Sequence, residues 1–178
     1  MSQGIYSKGD VTVTNASVNA LNAKAAVLKG NNTITLSGTT LEGKETTDTV
    51  PYNIVLFSDE KDIGTMGTQH FDVRGGYLIS HKGGMFYVTA THGKISLNGT
   101  AITMDDPAAN LITVAGNDGA NGWGTPGRNG GHVELVADNQ VLTGNISVDS
   151  ISNINMTLNY YAHATSDSAM AEMERLIA

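Results

Sequence analysis

A short unit returns along this chain in one orientation. It consists of an apolar, a polar and an apolar residue, then a turn, then a further apolar residue five positions after the second. It reads Val11-Thr12-Val13 with Val18, Ile34-Thr35-Leu36 with Leu41, Phe71-Asp72-Val73 with Leu78, and Ile95-Ser96-Leu97 with Ile102. A looser copy is Val133-Glu134-Leu135 with Val141 displaced by one, and a partial copy is Ile154-Asn155-Met156. The alternation has the period of a strand, and Val, Ile and Thr suit a pleated surface. A second apolar segment follows each of the first five units: Ala25–Leu28, Ile54–Phe57, Met85–Val88, Leu111–Val114 and Ile146–Val148. Each period therefore supplies three short strands.

The units lie between about 21 and 38 residues apart, far more than a hairpin needs. Units repeated in one orientation at that distance stack in parallel, each strand on its copy in the next coil, and bury one continuous apolar column. The expected fold is all-β: a right-handed parallel β-helix, a solenoid of about six coils. A left-handed hexapeptide helix needs a strict six-residue period, which is missing. The turn supports this. Two residues after the second apolar position stand Asn15, Gly38, Gly75 and Gly99, the residue types that tolerate a left-handed backbone. In the fifth copy Ala137 takes that place and Asp138-Asn139 follow, as a one-residue slip would produce. A β-sandwich is the competing architecture, but its strands do not share one consensus. Six rungs spaced about 4.8 Å apart make a rod roughly 25–30 Å long.

Residues 1–165 are assigned to the solenoid. The remainder, 166–178, reads as a short C-terminal helix, a cap or a tail: Ser166, Asp167 and Ser168 are N-cap candidates, and Ala169, Met170, Met173, Leu176 and Ile177 form an apolar stripe at helical spacing. At the other end the chain enters the repeat almost at once, without a cap, and Met1–Asp10 is not a signal peptide. Both features suit a segment of a longer secreted protein. An open solenoid end also invites end-to-end self-association.

Composition narrows the function classes. The net charge is −7, which disfavours nucleic acid, whose phosphates need a basic face. No apolar run approaches the roughly 18 residues of a membrane-inserting helix. Cys is absent, removing disulfides, Cys-ligated zinc and thiol nucleophiles. Gly numbers 21, and with about 20 Thr and 16 Asn makes up about a third of the chain. Hydrophobic residues at 40% are enough for a core.

Extra residues concentrate at Glu42–Tyr52, Ser58–His70, Thr103–Asn110 and Ala115–His132. Such loops are expected to project from the rod, and loops on a rigid scaffold are where binding resides. The longest carries the only Trp, Trp123, with Asp118, Asn121, Arg128 and Asn129. An aromatic plane beside amides and charges suits stacking on a sugar face and fixing its hydroxyls, so these five are the candidate ligand-binding residues. The alternative is that Trp123 folds back over the rod. Gly122–Gly127 matches G-x-G-x-x-G, but no amphipathic helix follows, so it is not a nucleotide fingerprint. No metal site and no resident cofactor are assigned, although Asp59-Glu60-Lys61-Asp62 and Asp105-Asp106 leave room for calcium at a coil edge, and Asn117–Gly122 faintly resembles a calcium loop. His70 and His132 both precede a first strand but two rungs apart, roughly 9–10 Å, too far to share a metal. The outward residues of the first strand form a column: Thr12, Thr35, Asp72, Ser96, Glu134 and Asn155. No catalytic residue is selected. There is neither an HExxH nor a G-x-S-x-G motif.

Gly4-Ile5-Tyr6-Ser7-Lys8-Gly9-Asp10-Val11-Thr12-Val13 resembles the start of the repeat in bacterial cell-surface right-handed β-helix proteins, some of them carbohydrate-binding. Met85–Val88, Gly116–Gly119 and Ile146–Ile151 are similar to them too. The resemblance implies a pectate-lyase-like superfold, a secreted or cell-surface location in a bacterium, and calcium in related members. Lyases of that fold place a basic catalytic residue opposite an acidic calcium site. This chain offers Arg74, Arg128 and Arg175, of which Arg74 follows Asp72 by two, without a cluster of acids around it in sequence. Asp105-Asp106 resembles the acids of polygalacturonase-type hydrolases, whose other motifs are missing. Fold alone does not give function. The leading expectation is a non-catalytic module for adhesion or for binding polysaccharide or a host or cell-surface glycan. The alternatives are a polysaccharide lyase or hydrolase and a purely structural spacer.

Overall fold

A computed structural model describes residues 3–45, 51–58, 67–117, 125–159 and 163–164. The expected C-terminal helix at 166–178 lies outside the described residues, which are strands and connections.

The chain winds as a right-handed parallel β-helix with three sheet faces. Sheet one stacks β1 (Gln3–Ser7), β4 (Lys24–Lys29), β7 (Tyr52–Phe57), β10 (Gly84–Thr89), β13 (Asn110–Val114) and β16 (Asn145–Val148). Sheet two stacks β2 (Val11–Thr14), β5 (Thr33–Ser37), β8 (Thr68–Arg74), β11 (His92–Asn98), β14 (His132–Asp138) and β17 (Asn153–Asn159). Sheet three stacks β3 (Ser17–Leu21), β6 (Thr40–Lys44), β9 (Tyr77–Ser80) and β12 (Ala101–Met104). In the fifth coil β15 (Val141–Leu142) pairs instead with β18 (His163–Ala164). Every pairing is parallel.

Each coil supplies to the interior the residues that the repeat marks as apolar. In sheet two Val11, Ile34, Phe71, Ile95, Leu135 and Met156 lie above one another, and beside them Val13, Leu36, Val73, Leu97, Ala137 and Leu158. Val18, Leu41, Leu78 and Ile102 continue the column in sheet three. Between the end coils these side chains, Ile102 apart, are sealed from solvent, and burying one of this size contributes about 1.5–3 kcal/mol. Phe71 meets Phe86 of sheet one edge-on across the interior, with ring centroids 5.7 Å apart.

The corner that follows the sheet-two strand repeats in the first five coils. Asn15, Gly38, Gly75, Gly99 and Asn139 have φ of 50°, 55°, 62°, 59° and 48°. The first four also donate their backbone N–H to the next coil: Asn15 to the Ser37 carbonyl (2.8 Å), Gly38 to Arg74 (2.9 Å), Gly75 to Asn98 (2.8 Å) and Gly99 to Asp138 (3.2 Å). The ladder therefore runs unbroken through the bend. The next residue seals the corner. Thr39 Oγ1 donates to the Val13 carbonyl (3.1 Å), Thr100 Oγ1 to that of Gly75 (3.2 Å), and Gln140 Nε2 to that of Thr100 (2.6 Å).

Two sequence expectations need correcting here. The fifth and sixth units are Leu135-Val136-Ala137 and Met156-Thr157-Leu158, two residues later than the sequence reading places them. The fifth coil has no slip, since Asn139 follows Ala137 by two and buried Leu142 follows it by five. The outward column is accordingly Thr12, Thr35, Asp72, Ser96, Val136 and Thr157, and Glu134 and Asn155 belong to the column of His70 and Lys94. Second, three of the loops do not project throughout: each packs at least one described residue back onto the rod, although Lys44, Pro51 and residues 125–128 are exposed. Sheet one is covered on its outer side, where Val27, Val55, Phe57 and Tyr87 form a second buried cluster with Tyr52 and Ala115 against it. Glu45, Ser58 and Asn117, in the same connections, are buried too. Buried Lys24 sits 3.9 Å from the Glu45 carboxylate and donates from Nζ to the Tyr52 carbonyl at 3.2 Å. The Thr103–Asn110 connection does stand out, with residues 105–108 exposed.

Candidate functional site

With the middle of sheet one covered, the outer faces of sheet two and of the shorter sheet three are left open, and that of sheet two, with six strands, is the broader. It alternates inward apolar and outward polar residues, as a sheet with one wet face does. Two adjoining shallow grooves cross it. One, of about 510 Å³, is lined by Thr68, His70, His92, Gly93, Lys94, His132, Val133, Glu134, Asn153 and Asn155. The other, of about 320 Å³, shares His70 and Lys94 and continues past Asp72, Arg74, Ser96, Asn98, Asp138 and Asn159.

Register decides which side chains meet. Thr68, His92, His132 and Asn153 share one column, and Thr33, His70, Lys94, Glu134 and Asn155 the next but one. The His92 and His132 rings stack, with centroids 5.0 Å apart and planes inclined by 20°. The Asn153 amide lies 2.7 Å from His132 Nδ1. Lys94 Nζ is 3.4 Å from Glu134. This ion pair is largely wet and contributes at most about 1 kcal/mol, but it places a cation and an acid side by side in the groove. Asn98 Nδ2 donates to Asp138 at 3.1 Å. His70 lies within β8 rather than before it, and in a different column from His132. Asp72 and Arg74 both face outward on β8.

The loop chosen from sequence borders this surface. Trp123, Asp118 and Asn121 lie outside the described residues. Exposed Arg128 accepts at its carbonyl from the Asn117 N–H (2.7 Å), closing the loop's neck, and Gly127 N–H donates back to the Asn117 carbonyl (3.0 Å). Asn129 has φ of 60° and accepts from the Ala90 N–H at 2.8 Å. Ala90 is two residues before His92, and Asn129 three before His132, so the loop's exit is fixed at the end of the groove where the imidazoles stand. Asp149 anchors the other side of the neck. It accepts from the Gly116 N–H (2.7 Å) and the Ile151 N–H (3.2 Å). Partial burial pushes its carboxyl up, but hydrogen bonds from Ser152, Gly116 and Ile151 outweigh this and hold it below the ordinary carboxylate value.

A second polar cluster crosses sheet three. His81 Nδ1 lies 2.8 Å from Asp105 Oδ2, its Nε2 bonds Glu42, and Glu42 in turn accepts from Asn19 Nδ2 at 3.0 Å. Hydrogen bonds donated to Asp105 and then to Glu42 raise the His81 pKa. With a carboxylate on each ring nitrogen, His81 has no lone pair left for a nucleophile and acts as a clasp between coils. The candidate calcium acids are also engaged: Asp105 with His81, and Asp106 Oδ1 with the Ala108 N–H at 2.9 Å. Residues 59–62 lie outside the described residues. Among the described residues no group of three or more His, Asp or Glu side chains is arranged to hold a metal ion.

No family model matches the chain, and no solved structure does. A stretch of 25 residues, 14% of the chain, is 84% identical to part of the transposase from transposon Tn916 of Enterococcus faecalis. The same holds for the Tn1545 transposases of Streptococcus agalactiae serotype V and Streptococcus pneumoniae. The chain spans 6% of the length of these curated relatives. A match this short does not place it in their family.

Proposed function

We propose that this chain is a non-catalytic binding module of a bacterial cell surface, and that it contacts polysaccharide along the outer face of sheet two. The observation that carries the reading is the contrast between the faces: the middle of sheet one is covered, while sheet two presents two connected grooves of amides, hydroxyls and imidazoles with the charged Asp72, Arg74, Lys94, Glu134 and Asp138. A row of fixed donors and acceptors spaced by the rungs, about 4.8 Å apart, suits an extended chain of hydroxyls. The neck of the Ala115–His132 loop meets one end of the groove at Asn129, so Asn129 and the adjoining Arg128 would add to the same surface. The location and the glycan ligand draw on the resemblance to surface β-helix proteins.

The test is retention on insoluble polysaccharides and on a glycan array, with and without calcium. Wild type is expected to be retained on at least one glycan without releasing reducing or unsaturated ends. Asn98→Ala with Asn155→Ala should weaken retention about tenfold, while Thr12→Ala, outside both grooves, should leave it unchanged. Release of sugar ends would make the chain an enzyme, and absence of retention on any glycan would favour a spacer.

A further inference from the structure

Among the described residues, the stacked imidazoles of the larger groove are a chemical grouping that can do more than contact a glycan. His92 and His132 occupy the same position on adjacent rungs, and the fold rather than the side chains sets their spacing. Both line the larger groove. The His92 imidazole makes no hydrogen bond among the described residues, its backbone N–H donating to the Gly67 carbonyl at 3.1 Å. Asn153 engages His132 at Nδ1, which leaves Nε2 for another partner.

We propose that His92 and His132 form a two-imidazole site for a late first-row transition metal ion of the Ni²⁺, Cu²⁺ or Zn²⁺ class. Imidazole nitrogens bind such ions at about 2.0–2.1 Å, and two rings sharing one ion at tetrahedral or square angles have centroids roughly 4.5–5.2 Å apart. The observed 5.0 Å falls in that range, and the near-parallel rings would turn about their side-chain bonds, with no movement of the strands, to point one nitrogen each at the ion. Asn153 Nδ2 lies against His132 Nδ1; with the amide turned over, its oxygen would accept the Nδ1 proton and give the outer hydrogen bond that orients an imidazole ligating through Nε2. The lysine of the same groove, Lys94, is paired with Glu134, which offsets its repulsion of a bound cation. Two protein ligands leave coordination positions for water or for oxygens of a molecule lying in the groove. Calcium is a poor fit, because it takes oxygen ligands. The inference does not depend on glycan binding and stands or falls separately from it.

The test uses protein stripped with a chelator and titrated calorimetrically with Ni²⁺, Cu²⁺ and Zn²⁺ in turn. One equivalent is expected to bind, most tightly for Cu²⁺. His92→Gln and His132→Gln should each weaken binding by about tenfold or more, while His70→Gln, in a neighbouring column, should not. Electron paramagnetic resonance of the wild-type Cu²⁺ complex should show two nitrogen ligands, a readout that needs no variant to fold. Equal binding by wild type and the double variant, or a Cu²⁺ spectrum with one nitrogen or none, would overturn the site.

Discussion

At the scale of single residues, the bend between sheets two and three rests on two consecutive positions with different demands. The first needs a left-handed backbone and little else. Asn serves there in the first and fifth coils, and at Gly75 a Cβ would meet nothing within 4 Å. The second is crowded in the third coil: a Cβ on Gly76, at φ 70°, would stand 2.2 Å from the Thr39 carbonyl oxygen and 2.6 Å from its nitrogen. Backbone cannot yield as a side-chain tip can. Gly75→Asn should therefore cost less than about 1 kcal/mol, and Gly76→Ala more than about 2 kcal/mol. Urea unfolding of the two variants checks this, and equal costs would show that the corner is not built as described. The rule that places a Gly or Asn two residues after the second apolar position was readable in the sequence, because only these residues tolerate positive φ cheaply. The crowding at Gly76 was not, since it depends on the coil beneath.

At the scale of elements, the three-strand period was legible and its register was not always so. Val133-Glu134-Leu135 alternates more cleanly than Leu135-Val136-Ala137, so pattern favours the first, but the ladder from Ile95 to Leu135 selects the second. That displacement of two residues had two effects. It produced an apparent slip at Ala137, and it set His132 against Lys94 and His70 instead of His92, hiding the imidazole pair. The Asn139 and Leu142 spacings, counted from Ala137, were the signal that could have corrected both. The covering of sheet one also left a trace in the sequence, because its strands are continuous apolar runs such as Ile54–Phe57 and Met85–Val88, the mark of a sheet buried on both faces.

The clasp of β6, the end of β9 and the end of β12 through Glu42, His81 and Asp105 gives this scale its prediction. The His81 pKa lies above the ordinary imidazole value of 6.5 in the folded chain. Its contribution to stability is therefore full below that value and is lost as pH rises through the folded pKa. The Tm advantage of wild type over His81→Gln should be larger near about pH 6 than near about pH 9. An advantage that grows with pH would contradict the clasp.

At the scale of the whole molecule, the coils form a stack that is sealed inside, roofed on sheet one and open on sheet two. Both functional proposals depend on that third feature, and on the register that brings particular outward residues together. The metal site needs His92 beside His132, and the groove needs Lys94 beside Glu134. The absence of cysteine makes the register directly measurable. Residues paired across adjacent rungs lie about 5 Å apart at Cα, within disulfide reach, whereas a diagonal neighbour two residues away lies at about 7 Å or more, beyond it. The pair Ser96→Cys with Val136→Cys is expected to oxidise to a single intramolecular disulfide, and Ser96→Cys with Glu134→Cys to remain reduced. Cross-linking of the second pair in preference to the first would contradict the stacking on which the groove and the imidazole pair stand.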